Sequence, residues 1–305
     1  MGVRELVRVI EERGGFAGAA GWREAFLAVP RHLFVPYYYV AGAGGYRRLW
    51  AEDPDPAVRE RWARGVYEDV PLAIRVRDGE LVSSSSQPSL MALMLGALGV
   101  REGERVLEIG AGSGYNAGLL AYRLGDRGVV SVDLEPEIVE SARRHLAGAG
   151  FRPRVVVGDG ARGVPEGAPY DRVVATCGVG SVPEAWVRQC RVGGRVLVPV
   201  ATGLVLLRVV GEGWAEGRFL RTPAYFVPLR GRNTPWEGRG EGRGEEDGVR
   251  FLVSLSQGVL GVEEAGEVWE REGRPGRERF GVSVGEGRVW AWLDSPEGAY
   301  VWGLR

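Results

Sequence analysis

The sequence predicts an α/β fold built on a doubly wound, mostly parallel sheet, with a helical N-terminal region and a small β-rich C-terminal extension. Three observations carry that expectation. From about residue 103, apolar segments of strand length alternate with segments of helix length. A glycine-rich turn, Gly110–Ala111–Gly112–Ser113–Gly114, joins one such strand to the helix that follows it. Asp133 then ends the next strand, 23 residues beyond Gly110.

Taken in order, residues 1–100 read as mainly helical. Leu6, Val9 and Ile10 recur at helical spacing, and residues 25–29 form a second short apolar face. Residues 41–66 mix Gly, Pro, Asp and Arg and read as a loop with a short helix. Strands are then expected at 105–109, 128–132, 154–157, 171–176, 194–198, 204–210 and 224–228. Helices are expected through 119–124, over 136–149 and through 182–189. Residues 232–249 are charged and glycine-rich, a linker that cannot build a core. Beyond it, residues 251–260 and 280–300 carry β-like patterning, and Gly285–Glu286–Gly287 before Val289–Trp290–Ala291–Trp292–Leu293 predicts a hairpin. The expected organisation is a helical N-terminal region with a substrate loop over 1–100, part of the catalytic domain; a core over 101–231; the linker; and an extension over 250–305. No internal repeats are visible.

Composition narrows the chemistry. The chain has 305 residues, 45% hydrophobic and 26% charged, with a net charge of −1, an ordinary globular balance with no case for nucleic acid. All 39 basic residues are arginine, which excludes Schiff-base and lysine-nucleophile mechanisms. Two cysteines, Cys177 and Cys190, are too few for a disulfide framework or a structural zinc site, and two histidines make no all-histidine metal site. No apolar run approaches the roughly 18 residues of a membrane span, so no membrane partner is expected. Acids interrupt the first apolar segment where a signal peptide would be continuous, which predicts a cytoplasmic protein.

The sharpest local signal is Val106–Leu107–Glu108–Ile109–Gly110–Ala111–Gly112–Ser113–Gly114–Tyr115. Glycines there let the chain turn tightly and let a ligand approach the backbone, and an acid placed like Asp133 takes ribose hydroxyls. Dinucleotide and S-adenosyl-L-methionine (SAM) sites share this logic, and two details favour SAM. The glycines read GxGxG, with Tyr115 where a third dinucleotide glycine would stand. Glu108, two residues before Gly110, would repel a pyrophosphate but suits a cationic ligand. Asp159, beside Gly160 in Gly158–Asp159–Gly160, is placed to accept from an adenine amino group. The bland alternative is a tight strand-to-helix turn without a ligand.

With these residues in place, the chain resembles the protein-L-isoaspartate O-methyltransferase family over roughly residues 20–231. The resemblance rests on Val29–Pro30–Arg31–His32–Leu33–Phe34–Val35–Pro36, Tyr67–Glu68–Asp69–Val70–Pro71–Leu72, Ser86–Gln87–Pro88, the glycine motif, Gly158–Asp159–Gly160, Ala168–Pro169–Tyr170–Asp171, Gly193–Gly194–Arg195 and Phe226–Val227–Pro228–Leu229. It implies a Rossmann-like SAM-dependent methyltransferase fold, SAM as donor and S-adenosyl-L-homocysteine as its product. It puts the family's active-site serine at Ser86 and its cofactor acids at Glu108, Asp133 and Asp159, with Gly110, Gly112 and Gly160 alongside. The family's substrate-cleft valine falls on Val227, and Ser85 and Gln87 flank Ser86 as expected acceptor contacts.

A narrower resemblance points to a peptide partner. Ser83–Ser84–Ser85–Ser86–Gln87–Pro88–Ser89–Leu90–Met91, Ala175–Thr176–Cys177–Gly178–Val179, Ala215–Glu216–Gly217–Arg218–Phe219–Leu220 and Trp292–Leu293–Asp294–Ser295–Pro296 look like a bacterial branch encoded with ribosomal peptide natural-product pathways, graspetides and lanthipeptides. Such members methylate an Asp in a cyclised precursor peptide, which yields aspartimide or isoaspartate. The function this implies is carboxyl methylation of such a precursor; the alternative is general repair of isoaspartyl proteins. Two further readings compete. A partner-binding protein that kept the fold without the activity is opposed by the full set of acids, glycines and Ser86. An NAD oxidoreductase is opposed by the glycine pattern.

An acceptor carboxylate, with a pKa of about 4, is already ionised at pH 7 and needs no general base. Ser86 is then expected to guide the carboxylate by hydrogen bonding, and the serine run also to cap the helix from Pro88. His32 reads as packing, His145 as solvated, Cys177 and Cys190 as buried, and Trp290, Trp292 and Trp302 as the core of the extension.

Overall fold

The computed structural model describes residues 2–17, 19, 21–42, 44–231 and 247–305. The chain divides into two compact units, Met1–Gly158 and Asp159–Arg305. None of the helices in the described residues is long and apolar enough to cross a membrane.

The first unit opens with α1 (Val3–Glu12), which buries Leu6, Val7 and Ile10; the buried stripe passes through Val7, and Val9 stays half-exposed. Helix α2 (Trp22–Ala28) buries Trp22, Ala25 and Phe26. Next come β1 (Tyr37–Gly42), β2 (Gly45–Trp50), α3 (Pro56–Gly65), β3 (Leu72–Arg77), β4 (Glu80–Ser85) and α4 (Pro88–Leu98). The four strands form an antiparallel sheet in the order β2-β1-β3-β4. The helical periodicity of the region gives no sign of this sheet, and part of the expected 41–66 loop is the β1–β2 hairpin. The β3–β4 turn is Asp78–Gly79, both with positive φ (53° and 79°), the geometry of a two-residue type I′ hairpin.

The strand–helix half of this unit follows the expected alternation. It runs β5 (Val106–Ile109), α5 (Tyr115–Leu124), β6 (Val129–Asp133), α6 (Pro136–Gly148) and β7 (Arg154–Val157). The pairs β5–β6 and β6–β7 are parallel, and every residue of β5 and β6 is buried. This is the double burial that writes near-continuous apolar runs into parallel strands. Phe34 lies against the bare Cα of Gly118 on α5, and its ring packs on Tyr115 at 5.5 Å between centroids.

The second unit contains β8 (Tyr170–Ala175), α7 (Glu184–Gln189), β9 (Cys190–Val200), β10 (Gly203–Gly211), β11 (Trp214–Phe219), α8 (Asp247–Leu255), α9 (Val262–Arg271), β12 (Phe280–Gly285), β13 (Arg288–Leu293) and β14 (Val301–Leu304). Strands β8 and β9 are parallel; from β9 to β14 each strand pairs antiparallel with the next. The expected hairpin is β12–β13, turning at Glu286 and Gly287 with φ of 52° and 72°.

Two expectations fail here. Residues 251–260 are not a strand: α8 covers 251–255 and buries Phe251, Leu252 and Leu255 on one helical face. Their apolar spacing of one, three and four is helical, and the valines between mimic β composition. Residues 224–228 are irregular, with a single parallel bridge from Pro228 to Gly178, since two prolines, Pro223 and Pro228, remove ladder donors. The linker over 232–249 falls outside the described residues for 232–246, and its last three residues open α8.

The extension's core joins the sheet to α8. Phe251 stands edge-on between Phe219 and Phe280, at 5.0 and 5.2 Å. Trp292 is 2% exposed and donates to Ser283 Oγ at 2.9 Å, and Trp302 is buried too. Trp290 is half-exposed against Trp214, so it belongs to the rim and not the core.

Candidate cofactor and acceptor sites

The glycine loop is built by left-handed backbone geometry that residues with side chains rarely adopt. Gly112 has φ +50°, and its N–H donates to Asp133 Oδ2 at 3.1 Å, so the acid ending β6 ties down the loop after β5. Gly114 has φ +84°, and a Cβ there would meet the Ala142 backbone on α6 at 3.2–3.3 Å. That third glycine serves helix packing. Gly110 N–H continues the β5–β6 ladder by donating to Val132 O at 2.9 Å. Asp133 also accepts from Glu135 N–H at 3.4 Å.

Glu108 lies under this loop with no exposure at all. One carboxyl oxygen accepts from Asn116 Nδ2 at 2.7 Å and the other from Ser131 Oγ at 2.5 Å. Burial pushes its pKa up to about 7, against the opposing pull of those two hydrogen bonds. Asn116 and Ser131 escape the sequence reading. The signal for Ser131 is a lone hydroxyl within the otherwise apolar Val129–Val130–Ser131–Val132. His145 is not solvated: it is half-buried, its Nδ1 lies 3.0 Å from Ser113 O, and burial lowers its pKa. His32 packs as expected, with Nδ1 2.5 Å from the Tyr67 hydroxyl.

The serine run ends β4 and passes over the glycine loop. A Cβ on Gly112 would stand 3.5 Å from Ser84 O, and Ser83, Gly112 and Ser113 border one cavity of about 40 Å³. Ser85 and Ser86 are held by Arg31, which is 1% exposed. Its guanidinium donates to the carbonyls of Glu68 (3.0 Å), Val70 (3.1 Å), Ser85 (3.2 Å), Ser86 (3.1 Å) and, more weakly, Val66 (3.4 Å), and to Ser85 Oγ at 3.4 Å. Burial lowers the Arg31 pKa to about 10, still charged at neutral pH. Among the described residues the Ser86 hydroxyl has no hydrogen-bond partner.

Gln87 occupies the N-cap of α4 but makes no side-chain cap. Asp69 supplies it from a distance, accepting from Ser89 N–H at 2.7 Å while also taking Gln87 Nε2 at 3.2 Å and the Arg13 guanidinium at 2.5 Å. The expected local cap is therefore replaced by an acid 20 residues upstream of Ser89. Arg31 and Asp69 both lie in quoted motifs. A charged residue embedded in an apolar motif was the available signal for them.

In the second unit, Asp159 caps the short turn Gly160–Arg162 by accepting from Ala161 N–H at 3.0 Å. Gly160 is buried, and its carbonyl accepts from Trp186 Nε1 at 2.7 Å. Gly231 passes close by: a Cβ on it would stand 3.0 Å from Asp159 Oδ1. Val227 is half-buried, and its carbonyl accepts from Gly178 N–H at 2.9 Å. Cys177 and Cys190 are buried thiols.

The donor set fits a nucleoside sulfonium. A strand-end carboxylate, a glycine loop without Cβ atoms, a buried carboxyl beneath it and no arginine between Gly110 and Tyr115 suit a cation bearing a ribose, and not a pyrophosphate. Fold and loop together define a SAM-dependent methyltransferase, with an α/β fold, a mixed sheet and a β-rich C-terminal region.

The comparisons agree and are narrower. The family model for protein-L-isoaspartate(D-aspartate) O-methyltransferase matches residues 53–233. A protein-L-isoaspartate O-methyltransferase of Ignicoccus hospitalis is 36% identical over 234 residues, covering 74% of this chain and 96% of that one. That of Thermotoga maritima is 49% identical over 137 residues, 44% of this chain and 43% of its own length. A solved protein-L-isoaspartate O-methyltransferase aligns with TM-score 0.65 and 26% identity over 99% of this chain and 98% of its own. A Plasmodium falciparum structure holding S-adenosyl-L-homocysteine shares the fold, with TM-score 0.56 and 15% identity over 75% of this chain and 99% of its own. The chain belongs to the protein-L-isoaspartate(D-aspartate) O-methyltransferase family, and its cofactor is SAM.

Proposed function

We propose that this enzyme methylates the free carboxylate of isoaspartyl residues in proteins and peptides, the repair reaction. The observation that carries the reading is the Ser86 hydroxyl. It has no partner among the described residues, while the backbone around it is fixed by a buried arginine. A donor held in place and left open is what a carboxylate acceptor needs.

The chemistry asks for alignment. SAM supplies an electrophilic methyl on a sulfonium. The acceptor carboxylate, ionised at neutral pH, forms the new C–O bond as the C–S bond breaks, and no proton moves. Ser86 Oγ–H donates to the carboxylate and orients its attacking oxygen, with Ser85 and Gln87 beside it. Val227 lines the acceptor cleft. Asp133 and Asp159 take the ribose and adenine groups, Gly110, Gly112 and Gly160 admit the cofactor to the backbone, and Glu108 sets the local charge. Holding donor and acceptor in line can contribute several kcal/mol to lowering the barrier. Methoxide leaves an acyl carbon far more readily than a carboxylate oxygen does, so the following backbone nitrogen attacks the ester carbonyl, gives up its proton and expels methanol to close a succinimide, which water reopens to Asp or isoAsp. A cytoplasmic setting belongs to this proposal.

A second reading is methylation of Asp in a ring-closed precursor peptide, favoured by the run from Ser83 to Met91. The C-terminal extension does not favour it, because a solved protein-L-isoaspartate O-methyltransferase aligns over 99% of this chain. The discriminating experiment is methyl transfer from labelled SAM to an isoAsp peptide, its Asp twin and a ring-closed precursor. Label on the isoAsp peptide alone upholds repair. Label on the precursor at Asp, with later loss of methanol, replaces it with the second reading.

A further inference from the structure

Helix α8 sits in the extension, yet its first residue is tied to the segment that carries Val227, and the residue just past its other end to a loop that binds that segment. At its first residue, Asp247 Oδ1 accepts from the Tyr225 hydroxyl at 3.1 Å, two residues before Val227. Asp247 is itself fixed by the buried Arg277, whose guanidinium donates to both carboxyl oxygens at 2.6 and 3.0 Å. Just past the other end, Gln257 Nε2 donates to Gly180 O at 2.6 Å, and Gln257 Oε1 accepts from Arg305 N–H at 2.9 Å.

Gly180 belongs to a short loop after β8 that grips the Val227 segment directly. Gly178 N–H donates to Val227 O at 2.9 Å, and Leu229 N–H donates to Gly178 O at 2.8 Å. Val179 N–H is bound to Pro199 O at 3.0 Å, and Ser181 Oγ reaches Leu304 O at 3.4 Å. Two of the four loop residues are thus pinned by the extension. Gln257 does this with φ +51°, a left-handed conformation that glycine or asparagine would adopt with less strain. A glutamine kept there, with both amide groups engaged, points to a role for the side chain.

We infer that α8 is a brace for the acceptor site, with Gln257 and the Tyr225–Asp247 pair as its two grips and Gln257 as a positioning residue. The extension then helps set how well the enzyme binds its acceptor peptide, through the backbone on either side of Val227. This rests on the acceptor-cleft role proposed for Val227. The brace is rigid enough to act: Phe251 in mid-helix is clamped between Phe219 and Phe280.

The test uses the full chain with Gln257→Ala, Gln257→Asn and Tyr225→Phe. Tyr225 is 65% exposed, so removing its hydroxyl deletes one bond and little packing. Asparagine favours the left-handed backbone but is too short to reach Gly180, which separates strain from bridging. Acceptor KM with an isoaspartyl peptide, kcat, SAM affinity by calorimetry and hydrogen exchange at the Gly178 and Leu229 amides are measured. All three variants should raise KM roughly threefold to tenfold, the loss expected of one hydrogen bond, with kcat and SAM affinity within about twofold. Exchange at Gly178 and Leu229 should quicken. Unchanged KM and exchange, a parallel loss of SAM affinity, or a wild-type Gln257→Asn would overturn the brace. If the wild type leaves isoaspartyl peptides unmethylated, the repair reading fails, and the exchange arm still decides the brace.

Discussion

Arg31 is a charge held almost wholly out of water, and five backbone carbonyls and one hydroxyl replace its hydration. It joins the stretch from Val66 to Val70 to the turn at Ser85–Ser86. Lysine keeps the charge but not the fork. Arg31→Lys should therefore destabilise the protein by roughly 2–4 kcal/mol in denaturant unfolding and lower kcat at least tenfold, with little change in SAM affinity. Full turnover in folded Arg31→Lys would remove Arg31 from the Ser86 machinery. Ser86→Ala should keep the stability and lose turnover, since its hydroxyl supports nothing else among the described residues; wild-type kcat would refute its role. Glu108 has a different signature. Its folded pKa, about 7, lies above the ordinary 4.5, so the folded state holds the proton more tightly than the unfolded chain does. The stability this contributes is complete below about pH 4.5 and is lost as pH rises through 7. In the ligand-free protein, Glu108→Gln should remove this loss, an effect on the order of 2–3 kcal/mol between pH 5 and 8. Parallel stability profiles for the two proteins over that range would show that Glu108 is ionised throughout.

At the scale of elements, the parallel half was legible because both faces of each strand are buried. Strand β7 matches its expected bounds, and β5, β6 and α6 differ by one residue or so. What escaped obeys other rules. The four-stranded sheet of the first unit is half-exposed, and Tyr37, Tyr39 and Arg48 interleave along β1 and β2, so no clean alternation marks it. Its one strong signal, Asp78–Gly79 between two β-rich runs, is a hairpin turn by chemistry alone. Asp133, Gly112 and Ser86 could be placed by motif. Arg31, Asp69, Asn116 and Ser131 could not, because their partners lie between 8 and 56 residues away in the chain. The loop also separates two uses of glycine. Gly114→Ala meets a left-handed φ and the Ala142 backbone together, so it should destabilise by about 1–3 kcal/mol by prising α5 from α6. A Gly114→Ala protein as stable as wild type would mean that α6 yields without cost.

For the whole molecule, the cofactor's effect on stability is the most direct test of the site assignment. Ligand that binds only the folded state stabilises it by about 2.7 kcal/mol at a hundredfold excess over Kd. For a chain of 305 residues that is roughly 4 °C in the unfolding midpoint. Asp133 has the least ambiguous task, since its carboxylate accepts from Gly112 N–H and so shapes the loop as well as the ligand site. Asp133→Ala should lose most of the SAM-induced rise, and Asp159→Ala a smaller part, because Asp159 also caps its own turn and that cap is lost with or without ligand. Ser86→Ala should keep the rise in full, since Ser86 is assigned to the acceptor. A scan of the four proteins with and without SAM checks this ordering. An equal rise in wild type and Asp133→Ala would move the cofactor away from the glycine loop, and a lost rise in Ser86→Ala would move the serine from acceptor guide to cofactor contact.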